Sequence, residues 1–502
     1  MSMHRAMIVS LAACGLLVVA QQGRAADSFD DVRAAIRKEI DGGVASVAVA
    51  VAQNGKIVWE QGFGIANKET GRQADPSTMY VLASVSKPIT STGMMRLVDG
   101  GRMQLDAPIN DYLGDAKLVA IVGDIRDATV RRIANHSSGL PEHAMSFHLD
   151  EPYSAPPADQ TIRRYGHIVA PPGTRWKYSN FGYGVLETAI ARTSGQSFGD
   201  YMREEVFLPL GMKRSSAYPQ RPVDDNVAAR YRRDGSRITD YNGDFVGYGG
   251  IYSSAHDLAR FGMFHLKNKV SGSKRLFSDA RVDELHAASY DSGWWGVYGL
   301  GWFRSTSSEQ QLMVWHAGAS YGTRAFLGLL PDRNVAIAVV SNSDTESIET
   351  IRSALLAKFG YQEQLWSAKD RSSPNEPAPS FSEQLRGEWT GLVHTYRGNV
   401  PLVINVGADG AVDAKLGLGP VARIANARVK DLSISAELPG SIDTDDARRR
   451  RNALQLTVNL YGERLVGDLG TKVPWPREKV AGDFVSHWVE LRRSGSSAGA
   501  TL

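Results

Sequence analysis

Two widely separated hairpin patterns constrain the fold of this chain more than any other feature of its sequence. Residues 45–64 alternate apolar and polar side chains around Asn54-Gly55, the dipeptide that most strongly indicates a hairpin turn. The apolar runs 325–330 and 335–341 flank a polar turn and predict a second hairpin. The segments between the hairpins have mostly helical periodicity; the clearest are 87–98, 182–193, 198–207 and 255–266. We therefore expect one sheet that is completed by both ends of a single domain.

The character of the sequence changes after a helix that is predicted to end near Lys358. Residues 366–381 are rich in Pro and Ser and are typical of a linker. Beyond them, short strand patterns alternate with Gly, Asn and Asp turns, which predicts a small all-β sandwich or barrel; the strand candidates are 402–406, 454–460 and 485–492. We therefore expect a first domain over 28–365, a second over 382–493, and a disordered tail of Ser, Gly and Ala over 494–502.

The first 25 residues have the pattern of a secretory signal peptide. A short positive segment, 1–5, precedes a nearly continuous apolar run, 6–20, and small residues follow at the predicted cleavage position near Ala25. The four residues that end at Cys14 also resemble a lipoprotein cleavage box, and lipidation there would attach the protein to a membrane. Because the apolar run continues well past this cysteine, ordinary cleavage is favoured, and we expect a periplasmic or extracellular protein.

Charge and cysteine usage exclude several classes of function. The formal net charge is +3 over 502 residues, which is too small to indicate a nucleic-acid partner. Cys14 is the only cysteine, so a processed chain would have no disulfide, thiol nucleophile or cysteine metal ligand. No later segment has the length and apolarity of a membrane helix.

Ser84-Val85-Ser86-Lys87 has the S-x-x-K pattern at the predicted start of a helix. Residues three apart share one helix face, so the Ser84 hydroxyl and the Lys87 amine are expected side by side. A lysine that burial keeps neutral can accept the hydroxyl proton of a serine nucleophile. The same pattern recurs over 271–274, but that polar stretch follows a helix and is interpreted as a surface loop.

Tyr178-Ser179-Asn180 is the only Y-x-N tripeptide and lies on a predicted loop before a helix. A tyrosine beside a lysine ammonium has its phenolate favoured, so Tyr178 could act as a base. The Asn180 amide can both donate and accept hydrogen bonds to a substrate amide. On its own, this tripeptide would indicate no more than a surface loop.

His316-Ala317-Gly318 follows the apolar run 312–315, at the end of a predicted strand. Small residues at such a position let a substrate approach the backbone closely. A backbone N–H of this strand and that of Ser84 could together form an oxyanion hole.

The order of these three motifs resembles that of the serine β-lactamase family, especially class C enzymes, DD-peptidases and related esterases. The flanking sequences agree with this resemblance over residues 28–360; the matching segments are 83–87, 135–140, 172–174, 249–258 and 298–302. The resemblance implies an α/β fold, in which helices flank an antiparallel sheet beside a further helical region, with the small barrel domain after it.

The resemblance also implies the chemical roles of the motif residues. Ser84 would be acylated, and Lys87 and Tyr178 would share the proton transfers of acylation and deacylation. No metal and no other cofactor is implied, and the Glu-based deacylation loop of class A enzymes has no evident counterpart. His136 lies in a family-like turn, where we expect it to support the cleft.

Substrate binding is assigned by the same resemblance to Asn180, which would orient the acyl amide, and to the strand end; the strand residues are His316, Gly318 and Ala319. The Ser84 and Ala319 N–H groups would form the oxyanion hole. Penicillin-hydrolysing members usually carry Lys-Thr where this chain has His316-Ala317, so efficient β-lactam hydrolysis is disfavoured. Two roles stay open for His316: a protonated anchor for a substrate carboxylate, or a hydrogen-bonding support for the site.

Two further kinds of motif are interpreted as coincidence. Residues 195–199 and 318–322 match G-x-S-x-G, but neither lies between a strand and a helix, as a nucleophile elbow requires. Glu142, His143 and His148 could be imagined as metal ligands, yet the spacing lacks a third ligand nearby, and surface histidines are the favoured interpretation.

The second domain opens with Gly387-Glu388-Trp389, and Trp488 and Arg492 lie on its last predicted strand. This pattern resembles lipocalin-like barrels, in which the tryptophan of a G-x-W motif packs near a late arginine. Barrels of this kind occur beside β-lactamase-like peptidases. Capping of the active site, assembly into a homo-oligomer and simple stabilisation remain alternative roles.

The sequence thus predicts an exported serine hydrolase that cleaves a small-molecule or peptide substrate through an acyl-enzyme. D-Amino-acid peptides and amides, or esters, are favoured over β-lactams. One alternative is a penicillin-binding-type sensor that is acylated without turnover, and another is a carrier whose barrel holds an apolar ligand. The complete set of Ser84, Lys87 and Tyr178 favours turnover, because a protein that only binds needs no proton-transfer residues.

Overall fold

The computed structural model describes residues 29–221, 224–293, 296–343, 345, 347–362, 382–449, 453–472 and 483–495. The predicted signal peptide over 1–25, the predicted linker over 366–381 and residues 496–502 of the predicted tail lie outside the described residues. The helices are α1 (Asp30–Asp41), α2 (Ser86–Asp99), α3 (Val130–Ala134), α4 (Ala158–Tyr165), α5 (Asn180–Ser194), α6 (Phe198–Met202), α7 (Leu208–Leu210), α8 (Ala255–His265), α9 (Asp279–His286), α10 (Ser347–Lys358) and α11 (Asp445–Arg448). Among these described helices, none is both long and apolar enough to cross a membrane.

The strands fall into two groups along the chain. Those of the first unit are β1 (Ser46–Gln53), β2 (Lys56–Asn67), β3 (Arg72–Gln73), β4 (Met79–Val81), β5 (Val119–Ala120), β6 (Ser146–His148), β7 (His167–Ile168), β8 (Ser215–Ser216), β9 (Tyr241–Gly243), β10 (Tyr252–Ser254), β11 (Tyr290–Asp291), β12 (Val297–Tyr298), β13 (Phe303–Thr306), β14 (Leu312–Ser320), β15 (Thr323–Leu330) and β16 (Val335–Ser341). Those of the second unit are β17 (Gly387–Thr395), β18 (Gly398–Val406), β19 (Val412–Leu416), β20 (Ala422–Arg423), β21 (Arg428–Lys430), β22 (Ser433–Leu438), β23 (Ala453–Tyr461), β24 (Arg464–Lys472) and β25 (Phe484–Arg493).

A nine-stranded antiparallel sheet forms the centre of the first unit, in the order β11-β12-β13-β14-β15-β16-β1-β2-β3. The first predicted hairpin is β1 with β2, and the second is β15 with β16. Asn54 and Gly55 have φ angles of 51° and 76°, the left-handed conformation that a two-residue hairpin turn requires. β1 also pairs with β16 along its length, so both ends of the domain complete the sheet, as predicted.

The two faces of β1 bury different side chains, because successive residues of a strand point to opposite faces of the sheet. Its three alanines lie in the core that includes side chains of α8, and its three valines lie in the opposite core with side chains of α1 and α10. A Cβ added to Gly262 of α8 would lie 2.7 Å from the Ala336 side chain. The small residues therefore let a helix pack closely on one face, while larger ones fill the other.

The S-x-x-K motif lies where a strand gives way to the most deeply buried helix. β4 ends at Val81 and pairs with β10, and a single helical turn over 83–85 leads into α2. Almost every side chain of α2 is buried, because this helix passes through the middle of the helical region. The predicted helix over 87–98 is thus confirmed, with one further residue at each end.

The second unit is a curled antiparallel sheet of nine strands, ordered β20-β19-β18-β17-β25-β24-β23-β22-β21. It confirms an all-β domain, but its form is a half-barrel, since the described pairing ends at β20 and β21 and does not join them. Trp389 of the G-x-W motif is buried beneath a late arginine, as expected. That arginine is Arg493, whose guanidinium carbon lies 4.6 Å from the ring centroid, and not Arg492.

The start of β25 contacts the first unit through its backbone. Ala144 and Phe484 exchange two backbone hydrogen bonds, of 2.9 and 2.8 Å. The buried Asp483 carboxylate accepts a further bond, of 2.6 Å, from the Ser146 N–H. The half-barrel therefore fixes the segment 144–146, which borders the cavity described below.

Candidate active site

Ser84 is the accessible group of its turn. Its side chain is partly exposed and lines a cavity of about 320 Å³, whereas the Ala83 and Val85 side chains on either side are buried. Gly318 of β14 lies against the same turn: a Cβ there would be 2.2 Å from the Leu82 carbonyl oxygen and 3.0 Å from the Ser84 nitrogen. Only a glycine allows β14 to pass this close to the serine.

The end of β14 borders the cavity with an open edge. Its pairing with β13 ends at Trp315, whereas its pairing with β15 continues to Ser320. Ala319 lines the cavity together with Ser84. This placement suits an oxyanion hole built from the Ser84 and Ala319 N–H groups, which remains a prediction.

Lys87 is completely buried, and its amine contacts three oxygen atoms. Nζ lies 2.6 Å from Asn180 Oδ1, 2.8 Å from the Tyr248 carbonyl oxygen and 3.2 Å from Ser84 Oγ. Burial lowers the pKa of Lys87 to about 7, although the negative charge of Glu142 acts in the opposite direction. The amine is therefore available in its neutral form near neutral pH, as the sequence predicts.

The three contacts decide what a neutral Lys87 can do. A neutral amine has two N–H bonds and one lone pair. Asn180 Oδ1 and the Tyr248 carbonyl can only accept, so they take the two N–H bonds. The lone pair is then left for the Ser84 hydroxyl, the third neighbour and the only one that can donate a proton.

Tyr178 completes the group around Ser84, but in a different protonation state from the one expected. Its hydroxyl is hydrogen-bonded to the Ser84 side chain, and Lys87 Nζ lies 4.6 Å from its ring centroid. Burial raises the pKa of Tyr178 well above 10, and the bond to Ser84 only partly opposes this. The expected phenolate is thus disfavoured, because burial outweighs the nearby amine, and Tyr178 is a neutral phenol able to donate a proton.

Glu142 is the residue of this site that sequence reasoning missed. Its Oε2 accepts a 3.0 Å hydrogen bond from the Asn180 backbone N–H, and its Oε1 accepts one from Asn180 Nδ2. The two bonds hold the amide so that Oδ1 faces Lys87. Ser486 of the half-barrel donates to the Glu142 carbonyl oxygen, so the second unit also restrains this residue. The available signal was its place two residues after the family-like segment 135–140.

The two histidines near Glu142 are buried, which corrects the interpretation as surface residues. His143 has no exposed area; its Nε2 lies 3.2 Å from Asp244, and its ring stacks on Tyr165 with centroids 4.1 Å apart. His148 is 5% exposed. No group of three potential metal ligands occurs in the described part of the chain.

His316 lies behind the site, and it is not among the residues that line the cavity. Its Nδ1 donates to the Ala317 carbonyl oxygen at 2.8 Å, so Nε2 accepts from the Tyr298 hydroxyl at 3.2 Å. Burial lowers the pKa of His316 to about 3, and the nearby Lys87 acts in the same direction. A protonated carboxylate anchor does not fit this buried, neutral imidazole, and the supporting role is favoured.

His136 contacts the Y-x-N loop, in keeping with the expected structural role. It has a φ of 64°, and its Nδ1 accepts a 3.1 Å hydrogen bond from the Ser179 N–H. Its carbonyl oxygen accepts another, of 2.9 Å, from the Lys177 N–H. Its ring lies 4.4 Å from that of Tyr178. Together these contacts fix the loop on which Tyr178 and Asn180 are carried.

The other motif matches have structural explanations. Ser197 caps the start of α6 by accepting a 3.1 Å bond from the Asp200 N–H. Ser320 lies at the end of β14, with its hydroxyl 2.6 Å from that of Tyr241. The second S-x-x-K copy, over 271–274, lies outside any helix or strand. None of these serines has a lysine contact comparable to that of Ser84 in the described structure.

Comparison with known proteins agrees with this arrangement. Residues 29–359 match the family model described as Beta-lactamase. Over 264 residues, the chain is 27% identical to PbpX of Bacillus subtilis, which is described as a penicillin-binding protein. The matched region covers 51% of this chain and 62% of that protein, which is less than two thirds of that protein's length.

Two solved structures extend the comparison of folds. The octameric penicillin-binding protein homologue from Pyrococcus abyssi superposes with a TM-score of 0.57 at 20% identity, covering 93% of this chain and 100% of that one. A D-stereospecific amidohydrolase from Streptomyces sp. gives a TM-score of 0.53 at 19% identity, covering 66% and 99%. The match to the Pyrococcus abyssi structure therefore extends over both units of this chain.

Proposed function

Because the chain belongs to the beta-lactamase family of serine hydrolases, we propose that it cleaves amides or esters through an acyl-enzyme formed on Ser84. The observation that carries this proposal is the 3.2 Å contact between Lys87 Nζ and Ser84 Oγ. The amine's two other neighbours are acceptors, so its neutral form has a lone pair for the serine proton. That is the activation a serine nucleophile requires.

In acylation, Ser84 Oγ bonds to the carbonyl carbon of the substrate while its proton passes to Lys87. The N–H groups of Ser84 and Ala319 stabilise the negative charge that develops on the carbonyl oxygen. The bond to the leaving nitrogen or oxygen then breaks, and Tyr178, a neutral phenol hydrogen-bonded to Ser84, delivers a proton to the leaving group. The proton held by Lys87 restores the phenol.

Deacylation repeats these transfers with water as the nucleophile. Water adds to the ester carbonyl, loses a proton to the neutral Lys87 or through Tyr178, and the acid is released as Ser84 Oγ regains its hydrogen. Asn180, held by Glu142, keeps its amide beside the amine and the cavity in both halves of the cycle.

We favour D-amino-acid amides and peptides, or esters, over β-lactams as substrates. His316 stands where penicillin-hydrolysing members have an ammonium group, and its buried imidazole is neutral. The fold likeness to a D-stereospecific amidohydrolase supports amide substrates. Efficient capture of a β-lactam carboxylate at this position is therefore not expected.

Export and assembly complete the proposal. The leader pattern over 1–25 supports a periplasmic or extracellular location, which N-terminal sequencing of the secreted protein would test. The fold likeness to an octameric homologue supports a homo-oligomer, and light scattering of the purified protein would measure its mass.

The decisive experiment is a substrate panel with wild type and Ser84→Ala. The panel contains D- and L-aminoacyl p-nitroanilides, short p-nitrophenyl esters and a chromogenic cephalosporin. We expect steady-state turnover of at least one amide or ester, a loss of at least roughly 10³-fold in Ser84→Ala, and little cephalosporin hydrolysis. Ser320→Ala is the matched control, because Ser320 lines the same cavity. A single burst of product without turnover would instead identify an acylated sensor.

A further inference from the structure

The cavity beside Ser84 extends toward the acyl side of the site. Asn180 and Ala319 line it, whereas Tyr178, which serves the leaving group, does not. Consider a substrate whose carbonyl oxygen is bound by the Ser84 and Ala319 N–H groups. Its acyl group, which stays attached to Ser84 after the first step, would lie in this cavity. The residues that line the cavity away from Ser84 accordingly select the acyl group.

Arg230 is the only charged residue among the described residues that line this cavity. Its side chain is 3% exposed and stacks on Tyr241, with the guanidinium carbon 4.1 Å from the ring centroid. Its Nη2 donates to the Tyr252 hydroxyl at 2.8 Å and to the Tyr241 carbonyl oxygen at 3.3 Å. Its Nη1 is buried and has no hydrogen-bond partner in the described structure.

Asp240 stabilises the Arg230 cation electrostatically, but its carboxylate is paired with other arginines. Asp240 lies 3.6 Å from Arg221 and 3.5 Å from Arg237, and Arg237 lies 2.7 Å from Glu69. No described carboxylate lies within 4 Å of the Arg230 guanidinium, which stays protonated at any working pH. A buried cation without an ion pair or a full set of acceptors is costly, so a bound anion would stabilise it.

We propose that Arg230 binds a carboxylate carried by the acyl part of the substrate, so that the hydrolase prefers anionic acyl groups. The inference rests on the proposed function and names the substrate class of the same site. Nη1, whose hydrogens have no acceptor in the described structure, can donate charge-assisted hydrogen bonds to a carboxylate. Apolar side chains of Val81, Phe245 and Phe484, which also line the cavity, suit the methylene chain between the carboxylate and the reacting carbonyl.

The arrangement also explains how an anionic substrate can be held without a positive group on β14. His316 is buried and neutral, so it offers no charge to the leaving-group side. Arg230 places a positive charge at the cavity that Ser84 also lines, and this charge can act in both acylation and deacylation because the acyl group stays attached. The preference would therefore appear in both halves of the reaction.

The test uses mono-p-nitrophenyl esters of succinic, glutaric and adipic acids beside neutral p-nitrophenyl esters of matched length. Ser84 attack releases p-nitrophenol and leaves the half-acid on the serine, and water then releases the dicarboxylic acid. Spontaneous hydrolysis is subtracted with Ser84→Ala. We expect wild type to prefer at least one anionic ester by roughly tenfold or more in kcat/KM, since charge-assisted hydrogen bonds are about twice as strong as neutral ones.

Arg230→Gln should reduce the anionic-to-neutral ratio of kcat/KM by at least roughly tenfold, and Arg230→Lys should keep part of that ratio, because lysine keeps the positive charge but places its donors differently. Arg233→Gln is the matched control, because this arginine lies on the same segment with an exposed side chain. Equal losses for anionic and neutral esters in Arg230→Gln would overturn the inference, as would a wild type without any anionic preference.

A binding measurement separates this inference from the proposed function. Glutarate should raise the Tm of Ser84→Ala, and the same variant with Arg230→Gln should lose that shift, while the uncharged glutaramide should shift neither protein. Ser84-dependent hydrolysis of neutral esters without any effect of glutarate or Arg230 would retain the function and reject the carboxylate site. A glutarate shift that depends on Arg230 in a protein without turnover would retain the site and reject the function.

Discussion

Glu142 and Lys87 contact opposite ends of the Asn180 side-chain amide. The carboxylate accepts from Nδ2, and the amine lies 2.6 Å from Oδ1. The negative charge of Glu142 also raises the pKa of Lys87 against the larger, lowering effect of burial. One residue therefore orients the amide that contacts the proposed base and also acts on the pKa of that base.

Glu142→Gln should change activity and pH dependence together. Removing the negative charge lowers the pKa of Lys87 further below about 7, so the acidic limb of the kcat/KM profile should move to lower pH. The Gln amide also places a donor against Asn180 Nδ2, so kcat should fall by about tenfold or more. The measurement is a pH profile on a neutral ester, with Glu349→Gln on the exposed face of α10 as control. An unmoved acidic limb would show that Glu142 only supports the loop.

Lys87→Ala and Tyr178→Phe should each lower kcat by about 10²–10⁴, the range for lost general acid–base catalysis. The double variant should lose far less than the product of the single effects, because both residues serve one proton path. In wild type, kcat/KM should rise with pH through about 7 as Lys87 loses its proton. Ionisation of the Tyr178 hydroxyl should cause no fall in kcat/KM over that pH range, since burial raises the pKa of Tyr178. Full additivity in the double variant would mean that the two groups act separately.

Buried histidines should make the fold sensitive to acid. Burial lowers the pKa of His316 and His286 to about 3 and that of His487 to about 4, whereas an unfolded imidazole titrates near ~6.5. Below that pH the unfolded chain binds more protons, so the free energy of unfolding falls as pH drops from about 6.5 toward 4. Glu187, whose pKa burial raises to about 8, acts in the opposite direction.

Because these effects overlap, the test compares the Tm of wild type and His487→Gln at pH 7.5 and pH 5. The variant should lose less Tm on acidification than wild type, and His256→Gln, a partly exposed histidine paired with Glu60, serves as control. An equal loss in all three proteins would contradict the assignment of the acid sensitivity to buried imidazoles.

Removing the half-barrel after residue 362 should leave a folded first unit whose chemistry is impaired. The central sheet is closed by β1 and β16 within the first unit, and the second unit adds only Val485, with Tyr396 packed against it, to the core on one face of that sheet. The backbone of segment 144–146 would nevertheless lose four hydrogen bonds, including one from Arg449 to the Ser146 carbonyl oxygen, and the cavity would lose Phe484. We expect slower labelling of Ser84 by a fluorophosphonate, by about tenfold, with an altered acyl preference.

A full-length variant checks the same point without truncation. Asp483→Ala leaves the buried Ser146 N–H without its acceptor, at a cost of about 1–3 kcal/mol in the free energy of unfolding. Its labelling rate should fall between those of wild type and the truncated chain. Normal rates in both altered proteins would show that the half-barrel is no more than a stabilising unit.

The sequence predicted those features that depend on local spacing. The hairpins around Asn54 and over 331–334, and the shared helix face of Ser84 and Lys87, follow from residues that are close along the chain. The protonation state of Tyr178 did not follow, because it is set by burial, which only the assembled fold defines. The proposed roles of the motif residues remain predictions.

Side-chain contacts between distant segments that no motif marks were not predicted from the sequence. Glu142 reaches Asn180 across 38 residues, and Asp483 reaches Ser146 across 337. Arg230 is one of several arginines in its segment, and only its burial beside the cavity distinguishes it from Arg233. No periodicity or motif encodes such pairings when one sequence is read alone.

The backbone pairing of Ala144 with Phe484 also imposes an order in time on the maturing protein. Ser84, Lys87 and Asn180 leave the ribosome long before β25, the final described strand. A nascent chain therefore contains the proposed nucleophile and base while one wall of the proposed acyl pocket has yet to be synthesised. The wall of the cavity that Phe484 forms can be completed only after this late residue has been synthesised.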